Sequence, residues 1–250
     1  MSRVAIVTGG SRGIGAATCA LLAVEGWNVV VVYRSEAVAA AAVVDHCRMV
    51  GARALAVQAD VGDEADVMRL FATVDTDPDF GTIGALINNA GIVGTKARVD
   101  ELSADRLTGM MRVNVVGPFL CARESIRRMS TRRGGAGGVI VNVGSAAARL
   151  GSPGEYVDYA ASKGAIDTMT IGLAKEVAQE GIRVNCVRPG IIDTDIHASG
   201  GQPDRAERLA SLVPMQRPGE AGEIAAAIVW LCSDAASYVT GALLDVSGGR

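Results

Sequence analysis

Residues 3–33 constrain the fold most. Arg3-Val-Ala-Ile-Val-Thr8 is a short apolar run of the buried-strand type, and it leads straight into Gly9-Gly10-Ser11-Arg12-Gly13-Ile14-Gly15. A helical apolar pattern continues from Ala16 to about Gly26, and Val29–Tyr33 reads as a second strand. Strand, glycine-rich turn and helix in that order present backbone N–H groups and a helix N-terminus to an anionic group such as a pyrophosphate. Gly9 and Gly13 permit the tight turn, and Gly15 lets helix and strand approach closely. The spacing is Thr-Gly-x-x-x-Gly-Ile-Gly rather than the commoner G-x-G-x-x-G.

The same alternation runs to the end of the chain. Further strands are expected at Ala54–Gln58, Ala85–Asn88, Val139–Val143, Arg183–Arg188 and Ala242–Asp245. Helices are expected near 13–26, 36–50, 63–74, 103–130, 157–180 and 220–233. Strands alternating with helices predict an α/β fold: a doubly wound, seven-stranded parallel sheet with helices on both faces. No linker divides the chain, so residues 1–250 are expected to form a single domain. Ligands of such sheets sit at the carboxyl ends of the strands, where Gly9, Asp60, Asn88, Ser145 and Pro189 fall.

Composition excludes several classes. A net charge of −3 argues against nucleic acid as a bulk electrostatic partner. Five cysteines, odd in number and without C-x-x-C spacing, read as reduced side chains of a cytoplasmic protein. His46 and His197 are the only histidines and lie far apart, so no metal site is expected. The first strand begins at residue 3, leaving no room for a signal peptide. No apolar run approaches the roughly 18 residues of a membrane span.

Tyr159-Ala-Ala-Ser-Lys163 carries the chemistry. Four residues apart, tyrosine and lysine share a helix face. An ammonium beside a phenol favours the phenolate, which makes a general acid able to protonate a ketone oxygen. Basic residues here are nearly all Arg, 21 against 3 Lys, yet this position holds the compact charge that Arg cannot supply. Tyr156 has Ala160 at the same spacing and no lysine, which leaves it as pocket wall or packed surface.

With these motifs in order, the chain resembles a classical short-chain dehydrogenase/reductase along essentially its whole length. Within that family it most resembles bacterial members labelled glucose or sugar dehydrogenases, through Gly-Ser-Pro-Gly-Glu-Tyr-Val-Asp-Tyr-Ala-Ala-Ser-Lys. The resemblance implies a Rossmann-type NAD(P)-dependent oxidoreductase acting on a small carbonyl or alcohol. It implies a catalytic set of Asn114, Ser145, Tyr159 and Lys163, with Asn114 holding a water that links Lys163 to solvent. It implies cofactor contacts from Gly9, Ser11, Arg12, Gly13, Ile14 and Gly15, from Asp60 and Val61, and from Asn88, Ala90 and Gly91. Tyr159, Lys163, Pro189, Gly190, Ile192 and Thr194 complete them. A homotetramer built on the helices near 103–130 and 157–180 and on the C-terminal strand is also implied. Ser145 precedes Tyr159 by fourteen residues, one more than the family pattern leads one to expect, and the glycine-containing loop Arg149–Glu155 can absorb the extra residue.

Cofactor choice is read at Val31-Val32-Tyr33-Arg34-Ser35. The first acid, Glu36, lies past the position that grips a ribose 2′-OH, whereas Arg34, Ser35 and Arg12 suit a 2′-phosphate. NADP(H) is expected to be preferred, with NAD(H) possible. The segment of about 191–218, with Asp195, His197, Gly200, Gly201, Asp204 and Arg205, reads as a lid over a polar carbonyl or polyol such as a sugar. Two alternatives stand beside this. One is a 3-oxoacyl thioester reductase, docking an acidic carrier on Arg127, Arg128, Arg132 and Arg133. The other is a non-catalytic NADP(H)-binding sensor or scaffold on the same fold.

Overall fold

In a computed structural model, residues 3–77, 80–194, 198 and 200–250 are described. The strands are β1 (Arg3–Thr8), β2 (Asn28–Tyr33), β3 (Ala54–Gln58), β4 (Thr82–Asn88), β5 (Gly138–Val143), β6 (Ile182–Pro189) and β7 (Leu243–Val246). All seven pair in parallel, in the order β3-β2-β1-β4-β5-β6-β7. The order reverses between β1 and β4, the switch point where doubly wound sheets open a crevice. The central strands β1, β2, β4 and β5 are near-continuous apolar runs because both sheet faces are covered there.

The helices are α1 (Gly13–Val24), α2 (Ala37–Met49), α3 (Glu64–Asp75), α4 (Ala104–Met111), α5 (Gly117–Met129), α6 (Ala147–Leu150), α7 (Val157–Val177), α8 (Arg205–Arg208) and α9 (Ala221–Cys232). Successive strand side chains point to opposite faces, which divides the core in two. Ala5 and Val7 pack under α1, α2 and α9, with Leu22, Val44 and Ile228. Val4 and Ile6 pack on the other face under α3, α5 and α7, with Phe71, Met129 and Ile166.

The single helix expected over 103–130 is interrupted. Between α4 and α5 the chain makes a π-turn, Arg112–Val116, in which the Gly117 N–H donates to the Arg112 carbonyl. Pro118 explains the break: it lacks the N–H that would meet the Asn114 carbonyl in a regular helix. The helix expected over 157–180 ends as α at Val177 and closes through a 3₁₀ turn into Gly181, whose φ is 73°. The loop before Tyr159 takes up its length in α6 and two left-handed glycines, Gly151 (φ 75°) and Gly154 (φ 70°).

The start of α7 is fixed by a buried ion pair. Arg106 on α4 donates from Nε and Nη2 to Asp158 at 2.8 and 3.2 Å, and from Nη1 to the Thr95 carbonyl at 2.6 Å. The Asp158 side chain is fully buried, so removing its partner strands a charge. Arg106→Ala is expected to cost about 3–5 kcal/mol in urea unfolding; a loss below about 1 kcal/mol, the surface-pair range, would contradict this.

All five cysteines are buried and free. Burial pushes the thiols of Cys121, Cys186 and Cys232 up to about 12 from an ordinary 9.0. An acid whose folded value is raised leaves stability intact below its unfolded value and loses it as pH climbs, because the unfolded chain ionises first. The denaturation midpoint is therefore expected to fall steadily above pH 9.0. A flat profile into that range would contradict it. No helix among the described residues is long and apolar enough to cross a membrane.

Candidate active site

The glycine turn after β1 has the geometry its sequence requires. Gly9 and Gly13 have φ of 63° and 53°, where a side chain would be strained. A Cβ on Gly15 would sit 2.1 Å from the Gly9 carbonyl oxygen, so the buried Gly15 lets α1 close on the turn without itself facing the cleft. The turn is pinned to the end of β4 by Asn89. Its Nδ2 donates to the Thr8 and Gly9 carbonyls at 2.9 and 3.0 Å, while Thr8 Oγ1 accepts from the Asn89 and Ala90 N–H groups at 3.0 Å each. No acidic residue occupies the first turn of α1, so its N-terminal field is not offset there.

An elongated cleft runs along the carboxyl ends of the strands. One half is walled by Gly9, Ser11, Arg12, Gly13 and Ile14 from the turn, Arg34 and Ser35 after β2, and Asp60 and Val61 after β3. Ala90, Gly91 and Thr194 close it. Arg12 and Arg34 are exposed at its mouth with no ion pair among the described residues. Asp60 is already engaged, its Oδ2 with Arg112 Nη2 at 3.0 Å and its Oδ1 with the Gly62 N–H at 2.9 Å. Thr194, whose methyl would touch a Cβ on Gly13 at 3.4 Å, closes the cleft against the turn.

The other half shares Ile14, Gly91 and Thr194 and gathers Ser145, Tyr159, Lys163, Pro189, Gly190 and Ile192. Lys163 lies 5.6 Å from the Tyr159 ring centroid and donates from Nζ to the Val143 carbonyl at 2.7 Å. Tyr159 is half-buried, and its hydroxyl has no hydrogen-bond partner among the described residues. Ser145 Oγ accepts from the Ala147 N–H at 3.1 Å. Tyr156 is buried in the wall, its hydroxyl accepting from Gln202 Nε2.

Asn88 and Asn114 stand behind the cleft rather than in it. Asn88 Nδ2 donates to Asn142 Oδ1 at 2.9 Å, and Asn142 Nδ2 donates on to Thr170 Oγ1 at 2.9 Å, a buried chain from β4 through β5 to α7. Asn114 Oδ1 accepts from the Ile92 N–H at 2.8 Å, while its Nδ2 donates to the Ile92 carbonyl at 2.9 Å and to Ser162 Oγ at 3.1 Å. The side chain is thus fully committed, and the group that Pro118 relieves of a donor is its backbone carbonyl.

Three lining residues carried no sequence signal strong enough to assign them a role. Asn89 looks like one half of a doublet, and only the fold shows that it ties the turn. Arg205 lay within the expected lid, and Arg250 had no motif at all; both face the cleft. The lid base is closed by a short bridge in which Asp193 N–H donates to the Gly219 carbonyl and Gly219 N–H to the Ile191 carbonyl, both at 2.9 Å. Asp195 and His197 lie outside the described residues. The arginine run at the end of α5 is largely neutralised: Arg127 pairs with Glu124, Arg128 with Asp75 and Glu124, and Arg132 with Glu180.

A parallel sheet with its crevice at the switch point, a glycine turn at one end and a tyrosine–lysine pair at the other, defines a dinucleotide-dependent oxidoreductase. The family model described as enoyl-(acyl carrier protein) reductase matches residues 9–250. The chain is 55% identical over 247 residues to the uncharacterized oxidoreductase YgfF of Escherichia coli, spanning 99% of both chains. It is 36% identical over 247 residues to glucose 1-dehydrogenase 2 of Bacillus subtilis, spanning 99% of this chain and 94% of that one. A short-chain dehydrogenase from Burkholderia cenocepacia, solved in complex with NADP, superposes with a TM-score of 0.88 at 34% identity, over 98% of this chain and 96% of that one. The chain belongs to the short-chain dehydrogenase/reductase family, whose members are oxidoreductases that use NAD(P).

Proposed function

We propose that this protein moves a hydride between NADP(H) and a carbonyl or secondary alcohol, with Tyr159 as general acid and base. The observation that carries the reading is the placement of Ser145, Tyr159 and Lys163 on one wall of a cleft continuous with the glycine turn. A nicotinamide bound in the cleft would supply or take up the hydride at the substrate carbon. Ser145 Oγ already accepts from Ala147, so its own proton is directed outward to the substrate oxygen. Tyr159 gives its phenolic proton to that same oxygen in reduction and takes it back in oxidation. Lys163 spends one N–H on Val143, which anchors it beside the phenol and leaves two N–H groups for the cofactor ribose. Proton resupply through Asn114 runs over its backbone carbonyl, since its side chain is occupied.

The residues at the mouth fit a cofactor with a 2′-phosphate. Arg12 and Arg34 are cations without a counter-charge among the described residues, and the first acid after β2, Glu36, lies three residues beyond the strand end, where it accepts from Ser35 Oγ at 3.3 Å. The neutralised arginine run weighs against carrier-protein docking as the main role. Val116, Phe119 and Ile171 are exposed on the elements around the π-turn and α7, which supports assembly as a homotetramer through these helices. Light scattering is expected to give four times the 25.6 kDa chain mass; a monomer would contradict it. Buried free thiols support a reducing, cytoplasmic setting.

The test is NADPH and NADH oxidation by the purified protein against sugars, diketones, aldehydes, oxo acids and 3-oxoacyl thioesters. Turnover with a higher kcat/KM for NADPH is expected. Tight NADPH binding with no turnover across the panel would favour a sensor instead.

A further inference from the structure

Among the described residues, the substrate half of the cleft is lined by two guanidinium groups and no acid. Arg205 and Arg250 line it beside Ser145 and Tyr159, with Leu150 and Ile191 as apolar neighbours. Arg205 is held on two sides: Nη2 meets Glu155 Oε2 at 2.5 Å, and the guanidinium lies 5.1 Å from the Tyr156 ring centroid. Its Nε is nevertheless buried without a hydrogen-bond partner, and so is Nη1 of Arg250. An unpaired buried donor costs about 1–3 kcal/mol and more when charged, so neither guanidinium is fully satisfied within the described residues, and both belong to side chains that line the cavity a substrate would enter.

Charge narrows the chemistry. Glu155 offsets Arg205, whereas Arg250 makes no ion pair among the described residues. Its backbone oxygen, not its side chain, takes the hydrogen bonds from Arg149 Nη2 at 2.7 Å and Ser247 Oγ at 2.8 Å. With Lys163 turned to the Val143 carbonyl and the cofactor ribose, Arg250 is the one cation of the substrate wall with no partner for its charge among the described residues, which matches a monoanion. A dianionic phosphate would need a second, and a neutral polyol would leave Arg250 desolvated and unpaired. We infer that the substrate is an oxo acid, or the corresponding hydroxy acid, whose carboxylate is held by Arg250 and Arg205 while its carbonyl faces Ser145 and Tyr159. This rests on the carbonyl reductase reading and names its substrate class.

The test compares oxo acids of graded length with their own methyl esters and with a phosphorylated ketone, in wild type, Arg250→Met and Arg205→Met. NADPH oxidation is one readout. The second is ligand affinity for the NADPH-loaded Tyr159→Phe protein, which needs no turnover. Wild type is expected to prefer the best acid over its ester by about 30-fold in kcat/KM, the size of one charge-assisted hydrogen bond. In Arg250→Met that ratio is expected to fall close to unity. The change should lie in KM, because the carboxylate contact is the same in the ground and transition states. Acid and ester used equally, a preference for the phosphorylated ketone, or a ratio that survives Arg250→Met would overturn the inference. Should Arg250→Met fail to fold, the wild-type ratio and Arg205→Met decide it. Acid-selective binding without turnover would sink the reductase reading and spare the carboxylate site alone, while turnover without acid selectivity would sink the carboxylate site and spare the reductase reading.

Discussion

Tyr159→Phe is expected to lower kcat by about a thousandfold, the range in which positioned acid–base groups act. The change removes one oxygen and leaves the ring that Lys163 lies beside. Because the hydroxyl has no protein partner among the described residues, no buried donor or acceptor is orphaned, and the fold should be as stable as wild type. NADPH affinity should stay within a few-fold, since the glycine turn and the mouth are untouched. This separation of turnover from binding distinguishes a chemical role from a structural one. Tyr156→Phe supplies the contrast. Tyr156 has no lysine one turn on, so its loss should act on substrate affinity through Gln202 and Arg205 and leave the proton transfer intact.

The second large effect concerns cofactor choice. Replacing Arg12 and Arg34 together by Ala is expected to reduce kcat/KM for NADPH by about 100-fold, as one or two charge-assisted bonds to a 2′-phosphate are lost. The value for NADH should hardly move, because neither guanidinium has a partner among the described residues whose loss would disturb the turn. Raising the salt concentration should weaken NADPH binding in wild type and much less in the double variant, since both arginines are exposed to screening. Equal losses for the two cofactors would mean that the arginines shape the turn rather than read the phosphate.

The sheet was legible in the sequence because its central strands are buried on both faces and its edge strand β3 is still apolar, so that both carry short runs bounded by polar or glycine residues. Val4–Thr8 and Ala54–Gln58 came within one residue of their true ends. The cleft half built on the glycine turn was legible for the same reason: backbone conformation there dictates residue type, as Gly9, Gly13 and Gly15 show. Helix continuity was less so. The apolar spacing of 103–130 does not reveal a π-turn, since one added residue hardly alters the pattern. Only Pro118, by deleting a donor, marks the place where the ladder must change. Arg250 was beyond sequence reasoning altogether. It reaches the cleft because Pro189 pairs with Val246 in the β6–β7 register, which delivers the last residues beside Gly190. Nothing local records a juxtaposition made by pairing across the sheet. Asn88 and Asn114 show the opposite case: residue type and position were legible, but their side chains serve the frame, and only the fold shows where their hydrogen bonds go.

The central claim is that Tyr159 performs proton transfer in an NADP(H)-linked carbonyl reduction. The most direct measurement is a single turnover of the NADPH complex with the best carbonyl substrate of the panel, wild type and Tyr159→Phe side by side, with NADPH binding followed by its fluorescence in the same samples. The account predicts equal binding, rapid loss of NADPH absorbance in wild type and none on that timescale in the variant. Equal rates in the two proteins would contradict it.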